Sequence, residues 1–404
     1  MHTSPEDEHH VSQLRLFLEE VCCDLCRFEH AAESDSYKNI RIDREFYLDR
    51  PGAYADLRVS TPGAPPYFVE IKYGYPDAQL LERIRTKYSV ATPATQGGYK
   101  LVLIVDAAQR PTWPALEREL RAMLPPGLPL EIWDDQRFLS LLRERFQVEV
   151  DAITPKNLLD IRQAIDRTKG LYAFGEPTLS ALHSALLWHF GFWRLRELRE
   201  DQGLAPRDIL PPGSYRGVIV LMADICSFSS YVRDTPDAAI IRENLTAFYS
   251  KSRYQIIHSG GMLYAFAGDE VIGLYGVPQA EPNDASRAVQ TARALLEIGN
   301  SISQRWQRRI DRVQNAKGLH VGMAVGDLEM VPLRPYSRTH IGAIGDCINL
   351  AARLMKVAGP GEIVLSNSLF QQLHPPEQNI CSETEPIDAH NMGRIKAWKM
   401  RPAN

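Results

Sequence analysis

The feature that most constrains this chain is a pair of apolar runs separated by a two-residue turn. Residues 262–267 and 270–275 each have strand character, and only a Gly-Asp pair ending in Asp269 lies between them. Runs joined this tightly pair as an antiparallel hairpin, because a parallel connection needs a dozen or more residues. A further apolar run, residues 216–224, ends in Asp224. We therefore predict a sheet at whose edge two carboxylates emerge.

Length and composition predict a globular chain of two domains joined by a connector. The 404 residues exceed one average domain, and 44% hydrophobic with 24% charged residues exclude collagen-like and wholly disordered chains. Strands alternating with helices predict an α/β domain over residues 1–150. Helical periodicity predicts a connector over residues 151–212, and a second domain follows over residues 213–404. The net charge of −4 argues against a generally basic nucleic-acid binder, although a local basic groove stays open.

The sequence indicates a cytoplasmic protein without stable membrane insertion. No apolar run approaches the ~18 residues of a membrane span. The acidic, polar first residues do not resemble a signal peptide. The six cysteines are sparse, and the CxxC spacing of Cys23 and Cys26 has no second pair to complete a zinc site. We therefore expect reduced cysteines that pack in the interior.

Asp224 and Asp269 allow two interpretations. Each alone is common as a structural residue, Asp224 as a helix N-cap and Asp269 as a turn residue. Together, on adjacent strands, they suit two divalent ions about 3.5–4 Å apart, which clamp a triphosphate and activate a hydroxyl. An all-oxygen site of this kind suits Mn²⁺ or Mg²⁺. The loop over residues 225–229, which contains Phe228 and Ser229, offers backbone amides for phosphate oxygens.

A polar pair follows the last predicted strands. Asn349 and Arg353 are four residues apart, so they share one face of a helix. Ala351 and Ala352 between them are small and allow that helix to pack closely against its neighbour. The pair is either part of a binding site or, in the case of Arg353, an ordinary surface salt-bridge residue.

Three motifs in this order carry a resemblance to a known family. They are Ala223-Asp-Ile-Cys-Ser-Phe-Ser229, Gly260-Gly-xxxxxx-Gly268-Asp-Glu270 and Ile344-Gly-Asp-x-Ile-Asn-Leu-Ala-Ala-Arg353. In order and spacing they are similar to the class III nucleotidyl cyclase domain. The likeness covers roughly residues 215–375.

The resemblance implies a fold, an assembly and a set of site residues. The fold would be a βαββαβ ferredoxin-like core that works as a homodimer with shared active sites. Asp224 and Asp269, with the Ile225 carbonyl, would bind two divalent ions, Mn²⁺ or Mg²⁺. Asn349 would position the ribose, and Arg353 would stabilise the transition state.

Two positions that contact the base in purine cyclases differ here. Those enzymes carry a Lys and an Asp or Thr where this chain has Ala265 and Gly342. A site that loses such hydrogen-bonding groups forfeits a discrimination of about 10⁴–10⁵. The pattern is similar to that of pyrimidine cyclases, and Tyr264 is then either a base contact or a strand residue facing the core. The family's triphosphate-binding Lys has no clear match around residues 389–392, so that role stays unassigned.

The longer two-domain members of that group resemble the uridylate cyclases of bacterial Pycsar antiphage defence. The resemblance thus implies conversion of UTP to 3′,5′-cyclic UMP and pyrophosphate, and a downstream effector protein that the cyclic nucleotide activates. A cytidylate cyclase, and an adenylate or guanylate cyclase with unusual base contacts, stay open. So does a non-catalytic module or nuclease effector, against which the intact metal-binding and Asn-Arg motifs argue.

A second signal lies in the first domain. Asp56 on one predicted strand, with Glu70 and Lys72 on the next, resembles the PD-(D/E)xK nuclease core, where two carboxylates bind a metal ion and the Lys orients water. Glu19 or Glu20 on the first helix would add a carboxylate. Alternating Glu and Lys on an exposed strand face is the simpler explanation. We expect a restriction-endonuclease-like fold that serves as a sensor of a phage component rather than as a live nuclease.

Overall fold

The chain divides into two compact units. The structure is a computed structural model, and it describes residues 5–33, 39–95, 100–334, 339–389 and 393–400. The units are Met1–Lys169 and Gly170–Asn404. Residues 151–169 of the predicted connector therefore belong to the first unit and residues 170–212 to the second.

The first unit combines a mixed sheet with helices. Its strands are β1 (Arg41–Tyr47), β2 (Tyr54–Ser60), β3 (Tyr67–Ile71), β4 (Leu101–Ile104) and β5 (Leu130–Trp133). They lie side by side in chain order, with β1 to β3 antiparallel and β3 to β5 parallel. The helices are α1 (Pro5–Glu33), α2 (Asp77–Tyr88), α3 (Trp113–Met123), α4 (Asp135–Phe146) and α5 (Leu158–Phe174), the last of which crosses the unit boundary. The predicted mixed α/β class is confirmed, while the likeness to restriction endonucleases stays a prediction.

The core of the first unit follows from helical and strand periodicity. Leu80 and Ile84 of α2 are four residues apart, so they face the sheet together. They pack with Leu101 and Leu103, which alternate along β4 and therefore point to one side of the sheet. The sequence predicts helices over residues 77–88 and 113–123, and α2 and α3 have these bounds.

Strand β1 was not among the predicted strands. Four of its seven residues are charged, which hides any alternation of apolar and polar positions. Three of these charges, Asp43, Arg44 and Glu45, are nevertheless buried. Arg44 donates to Glu19 at 2.7 Å, and Asp43 lies 3.7 Å from Arg58 of β2. Glu19 and Arg58, which pair with these charges, are distant in sequence. The strand is therefore recognisable only from the folded structure.

The second unit begins with two short helices, α6 (Ala181–His189) and α7 (Phe192–Gln202). We predict one helix over residues 178–199, and the structure corrects this. Phe190 is extended and fully buried, and Gly191 lies so close to the helix Ala238–His258 (α9) that a Cβ atom there would be 2.7 Å from the Ile257 carbonyl oxygen. The chain therefore turns where the backbone must approach a neighbouring helix.

The second unit contains an eight-stranded sheet. Its strands in chain order are β6 (Gly213–Ile225), β7 (Met262–Ala267), β8 (Glu270–Tyr275), β9 (Leu319–Pro332), β10 (Ile341–Ile344), β11 (Ile363–Ser366), β12 (Cys381–Glu383) and β15 (Ala397–Met400). Strands β13 (Ile387–Ala389) and β14 (Gly393–Ile395) form a separate two-stranded ribbon. The spatial order is β12-β15-β11-β9-β6-β8-β7, with β10 paired to β9. The helices are α8 (Phe228–Asp234), α9 (Ala238–His258), α10 (Asp284–Ile310), α11 (Asp346–Val357), α12 (Asn367–Phe370) and α13 (Pro375–Gln378).

The centre of this unit has βαββαβ connectivity. Strands β9, β6, β8 and β7 are neighbours in that order, and each pair is antiparallel. The predicted hairpin over residues 262–275 has the bounds given by the sequence. The sequence predicts a helix over residues 235–257, which is α9; it begins three residues later, at Ala238, because Asp237 caps it by accepting from the Ala239 amide. Helix α8 before it was not predicted.

The two faces of this sheet are covered differently. Leu221 and Ala223 of β6 pack into the core formed with α9 and α10. The alternate residues face α11, which lies so close to β9 that a Cβ atom on Gly322 would be 2.2 Å from the Ala351 carbonyl oxygen. Ala351 is thus a contact residue, as its small size predicts. Asp224 is on the α11 side, because it alternates with Ala223.

No helix in the described ranges is both long and apolar enough to cross a bilayer.

Candidate active site

Asp224 sits near the end of the central strand β6. Its cross-strand partner on β9 is His320, and residues paired in this way share one face of the sheet. His320 Nε2 lies 3.3 Å from Asp224 Oδ2, and the other ring nitrogen, Nδ1, lies 3.3 Å from the Ala358 carbonyl oxygen. The imidazole is therefore fixed at both nitrogens and restricts the orientation of the carboxylate.

Asp269 occupies the turn between β7 and β8. Gly268 before it has φ +66°, a conformation that favours glycine. The Tyr249 hydroxyl of α9 donates to the Gly268 carbonyl oxygen, and the Tyr249 ring packs on Phe266 at 4.5 Å between centroids. The turn is thus tied to the helix behind it, which holds the Asp269 carboxyl group near Asp224.

The two carboxyl groups interact. Burial would raise the pKa of Asp224, but hydrogen bonds from His320 and Asp269 outweigh burial and lower it. Burial and the hydrogen bond with Asp224 raise the pKa of Asp269 to about 7. The hydrogen bond to Asp224 in turn raises the pKa of His320. Two carboxylates this close repel each other when both are ionised, and a bound cation relieves that repulsion.

The donor set fits a hard divalent cation. Among the described residues, no group of three or more His, Cys, Asp or Glu side chains is placed to hold a metal ion. The candidate ligands are therefore the two aspartates, with the Ile225 backbone carbonyl that the resemblance implies. Oxygen donors of this type suit Mg²⁺ and Mn²⁺.

The loop after Asp224 is shorter than expected. Strand β6 ends at Ile225 and helix α8 begins at Phe228, with Ser227 between them at φ +59°. The Cys226 amide donates to the Gly318 carbonyl oxygen and is thus occupied. Phe228 and Ser229 form the first turn of α8; the Phe228 ring packs edge-on to Trp306 while Ser229 is exposed. Phosphate binding by these two residues stays a prediction.

Helix α11 carries Asn349 and Arg353. Asn349 is exposed, whereas Arg353 is half-buried. The Nη1 atom of Arg353 is buried and has no hydrogen-bond partner within the part of the chain that the structure describes. A buried N–H group without an acceptor costs free energy, so this nitrogen calls for a partner such as a water molecule, an ion or a ligand. The alternative that Arg353 is a surface salt-bridge residue is therefore disfavoured.

The two positions that contact the base in purine cyclases lie near each other. Tyr264 is next to Ala265 on β7, and its hydroxyl oxygen accepts a hydrogen bond from the Ala343 amide of β10 at 2.9 Å. Gly342 is buried beside it, and a Cβ atom there would be 2.7 Å from Leu333 Cδ2. Tyr264 thus bridges β7 and β10, a role the sequence does not predict. Of residues 389–392, where the family's Lys was sought, 390–392 lie outside the described residues.

The first unit brings Asp56, Glu70 and Lys72 together, as predicted, but adds a second lysine. Lys72 Nζ lies 2.6 Å from Asp56 and 2.5 Å from Glu70. Lys87 Nζ lies 2.9 and 2.7 Å from the two Glu70 oxygens and 3.4 Å from Asp56. Tyr88 donates to Glu70 as well, at 2.7 Å. We call these five residues the lysine–carboxylate cluster. Each carboxylate oxygen in it has a hydrogen-bond donor.

The predicted extra carboxylate from α1 is engaged elsewhere. Glu19 accepts from Arg44, and Glu20 accepts from Arg162. Both glutamates thus have arginine partners rather than a place in the lysine–carboxylate cluster. A metal site at Asp56 and Glu70 stays a prediction, and the observed pairing with Lys87 does not favour it.

The sequence did not indicate four residues of these sites: His320, Tyr249, Lys87 and Tyr88. His320 and Tyr249 belong to elements that were predicted, but their contacts depend on strand register and helix packing. Lys87 lies on α2 at a spacing that gives no signal by itself.

Comparisons with known proteins give partial matches. No family model matches the chain. It is 26% identical over 186 residues to an uncharacterized protein of Mycobacterium tuberculosis, covering 44% of this chain and 30% of that protein. It is 24% identical over 156 residues to an uncharacterized protein of Mycobacterium bovis, covering 38% of this chain and 27% of that protein. The chain thus spans less than a third of the curated relatives it matches.

Cyclases are among the solved structures that match. The guanylyl cyclase Cya2 matches with a TM-score of 0.42 and 20% identity, over 48% of this chain and 96% of that one. The adenylyl cyclase CyaB from P. aeruginosa matches with a TM-score of 0.42 and 19% identity, over 48% of this chain and 98% of that one. A bacterial light-regulated adenylyl cyclase matches with a TM-score of 0.40 and 14% identity, over 68% and 69%.

Proposed function

We propose that the second unit is a nucleotidyl cyclase, which converts a nucleoside triphosphate into a 3′,5′-cyclic nucleotide and pyrophosphate. The observation that carries this proposal is the interacting carboxylate pair of Asp224 and Asp269, held at the end of β6 and at the β7–β8 turn. The unpartnered Nη1 of Arg353 supports it. Oxygen ligands for divalent cations and a guanidinium group in need of an acceptor are suited to a triphosphate.

The reaction is an intramolecular phosphoryl transfer. The ribose 3′-oxygen forms a bond to the α-phosphorus, the bond from that phosphorus to the bridging oxygen breaks, and the 3′-hydroxyl proton passes to water. Asp224, Asp269 and the Ile225 carbonyl would hold the divalent cations. When bound, these cations lower the pKa of the 3′-hydroxyl and neutralise the triphosphate charge.

The chain's own polar groups complete the site. Arg353 donates to the α-phosphate oxygens, on which negative charge grows in the transition state. Removing such a donor typically costs about 10²–10³ in rate. Asn349, one helical turn before it, orients the ribose. His320 holds Asp224 in one rotamer, so the carboxylate is positioned before substrate binds.

The chemistry around Tyr264 supports a uracil base. Its oxygen accepts from the Ala343 amide, and this bond leaves its O–H donor for a ligand. On the edge away from the sugar, uracil and guanine carry a carbonyl oxygen, whereas cytosine and adenine carry an amino group. A donor therefore favours UTP or GTP over CTP and ATP.

Size supports UTP over GTP. Ala265 and Gly342 provide no side-chain acceptor for the extra N–H groups of guanine, and Leu333 covers the side on which a residue at 342 would extend. GTP remains the second candidate, because the Tyr264 donor serves its carbonyl oxygen equally well. Cyclic UMP is thus the product we propose, and a guanylate cyclase is the alternative.

The biological setting is part of the proposal. We infer a homodimer in which each site combines the aspartates of one chain with Asn349 and Arg353 of the other. We also infer a cytoplasmic Pycsar-type antiphage role, in which the cyclic nucleotide activates a separate effector protein. The first unit would be the sensor, and the full pairing of its lysine–carboxylate cluster supports a unit without nuclease activity.

Product analysis tests the proposal. Purified protein is incubated with Mn²⁺ and an equimolar mixture of the four ribonucleoside triphosphates, and products are identified by mass spectrometry. We expect cyclic UMP and pyrophosphate from the native protein and neither from folded Asp224→Ala or Asp269→Ala variants. Cyclic GMP as the main product would overturn the base assignment alone. No cyclic nucleotide from the native dimer, or native-like activity in either variant, would overturn the cyclase proposal.

A further inference from the structure

Strand β7 contains a bulge at the residue next to the base site. It lies at the edge of the sheet and pairs with β8, and the register of that pairing shifts between Leu263 and Ala265. Tyr264 is therefore the extra residue. A bulge of this kind redirects one side chain relative to a regular strand. Here it directs the Tyr264 hydroxyl to the Ala343 amide.

The bulge is held from outside the sheet by His189. This residue ends α6, and its Nδ1 atom lies 2.6 Å from the Leu263 carbonyl oxygen. A carbonyl oxygen only accepts, so the geometry assigns the proton to Nδ1 and the donor role to His189. The carbonyl at the start of the bulge thus has a hydrogen-bond partner in α6.

The end of α6 is itself fixed in place. Arg253 of α9 donates to the Leu187 carbonyl oxygen at 2.6 Å and to that of Trp188 at 3.0 Å. These are carbonyls of the last helical turn, which lack intrahelical donors. Phe190, directly after His189, is fully buried. The His189 ring is therefore carried by a rigid helix end and provides a fixed donor for β7.

We propose that His189 is a positioning residue for base selection: it holds the β7 bulge, and the bulge presents the Tyr264 hydroxyl. This inference rests on the proposed function. Without the bulge, the part of β7 before Ala265 would shift by one residue, and a one-residue shift moves a side chain to the opposite face of a sheet. The Asp269 end of the hairpin would keep its register, because the two-residue turn fixes it.

The expected effect is therefore on base selection rather than on phosphoryl transfer. His189→Ala should lower the ratio of kcat/KM for UTP to kcat/KM for ATP by about fivefold to tenfold, the loss expected for one hydrogen bond. Inhibition by pyrophosphate should be unchanged, because that ligand contacts the triphosphate side of the site. His189→Asn should restore the ratio, since the Asn side-chain amide occupies nearly the same place as Nδ1 and also donates.

A control on the same helix separates positioning from general loosening. His183 lies in the first turn of α6, where it forms a capping box with Ser180. His183→Ala should weaken the start of α6 without changing the ratio. An equal loss of selectivity in His183→Ala, or a native ratio in folded His189→Ala, would overturn the inference.

A second measurement does not depend on activity. Hydrogen exchange of the Ala343 amide, followed by NMR or in peptides covering β10, should be several-fold faster in His189→Ala than in the native protein or in His189→Asn. A cyclase-inactive native protein would refute the proposed function, while this exchange rate would still report on the link from His189 to Tyr264. Unchanged exchange would show that the link does not exist.

Discussion

Replacing Lys87 by Met should destabilise the first unit by about 3 kcal/mol, the lower end of the cost of removing one partner from a buried ion pair. Glu70 is 0% exposed and Lys87 has 12% of its side chain exposed, so the pair is screened little by water. Lys72 and Tyr88 would still contact Glu70, which is why we expect the lower end. Met keeps most of the side-chain volume, and the loss therefore reports the charge rather than a cavity.

The assay is urea-induced unfolding of the full chain, followed by hydrogen exchange mass spectrometry of peptides covering β2, β3 and α2. The matched control is Lys100→Met, in the same unit: Lys100 pairs with Glu131 at the same 2.7 Å, but the two side chains are 44% and 42% exposed. That variant should cost at most about 1 kcal/mol. Without Lys87, Asp56 and Glu70 share the single charge of Lys72. Adding Glu70→Gln to Lys87→Met should therefore recover part of the stability, because it removes the excess negative charge. Equal costs for the two lysine variants would refute the buried pairing and reopen the carboxylates to a metal ion.

Three further outcomes test other parts of the molecule. Mixed Asp224→Ala and Arg353→Ala chains, each inactive alone, should regain about a quarter of native activity through mixed dimers; confirmed subunit exchange without rescue would refute shared sites. Ala265→Lys with Gly342→Asp should raise ATP or GTP turnover relative to UTP in the same competition assay, and an unchanged ratio would count against these positions. The lysine partners hold the pKa of Asp56 well below its ordinary value despite burial, so the stability that ionised Asp56 contributes is present above about pH 4 and is lost as pH falls further. Acid unfolding of the first unit should show this loss of stability, and an Asp56→Asn variant should show a weaker pH dependence of unfolding.

The sequence predicts those elements whose shape depends only on residues close together along the chain. The hairpin over residues 262–275 follows from two strand-like runs and a Gly-Asp turn. Helix α2 follows from apolar spacing, with Pro76 just before its first residue. The sequence predicts Asp224 and Asp269 at one edge of the sheet, because Asp224 ends one strongly apolar strand and Asp269 directly precedes another.

Contacts between distant segments were not predictable. His320 faces Asp224 only because β6 and β9 pair in one particular register, and a shift of one residue would place it on the other face. The pairing of Glu70 with Lys87 needs α2 to lie beside β3. The break between α6 and α7 at Gly191 depends on the close approach of Ile257 in α9, which is 66 residues further along the chain. In each case the deciding partner is absent from the local pattern.

The position of α6 beside β7 has a consequence for solubility. An unpaired strand edge is a template for aggregation, and proteins protect such edges with helices, charges or bulges. Helix α6 lies against the edge strand β7 and its His189 occupies the Leu263 carbonyl. A chain shortened to begin at residue 213 would retain every proposed catalytic residue yet lose this cover. Such a fragment should self-associate through β7, whereas one beginning at residue 178 should remain dispersed.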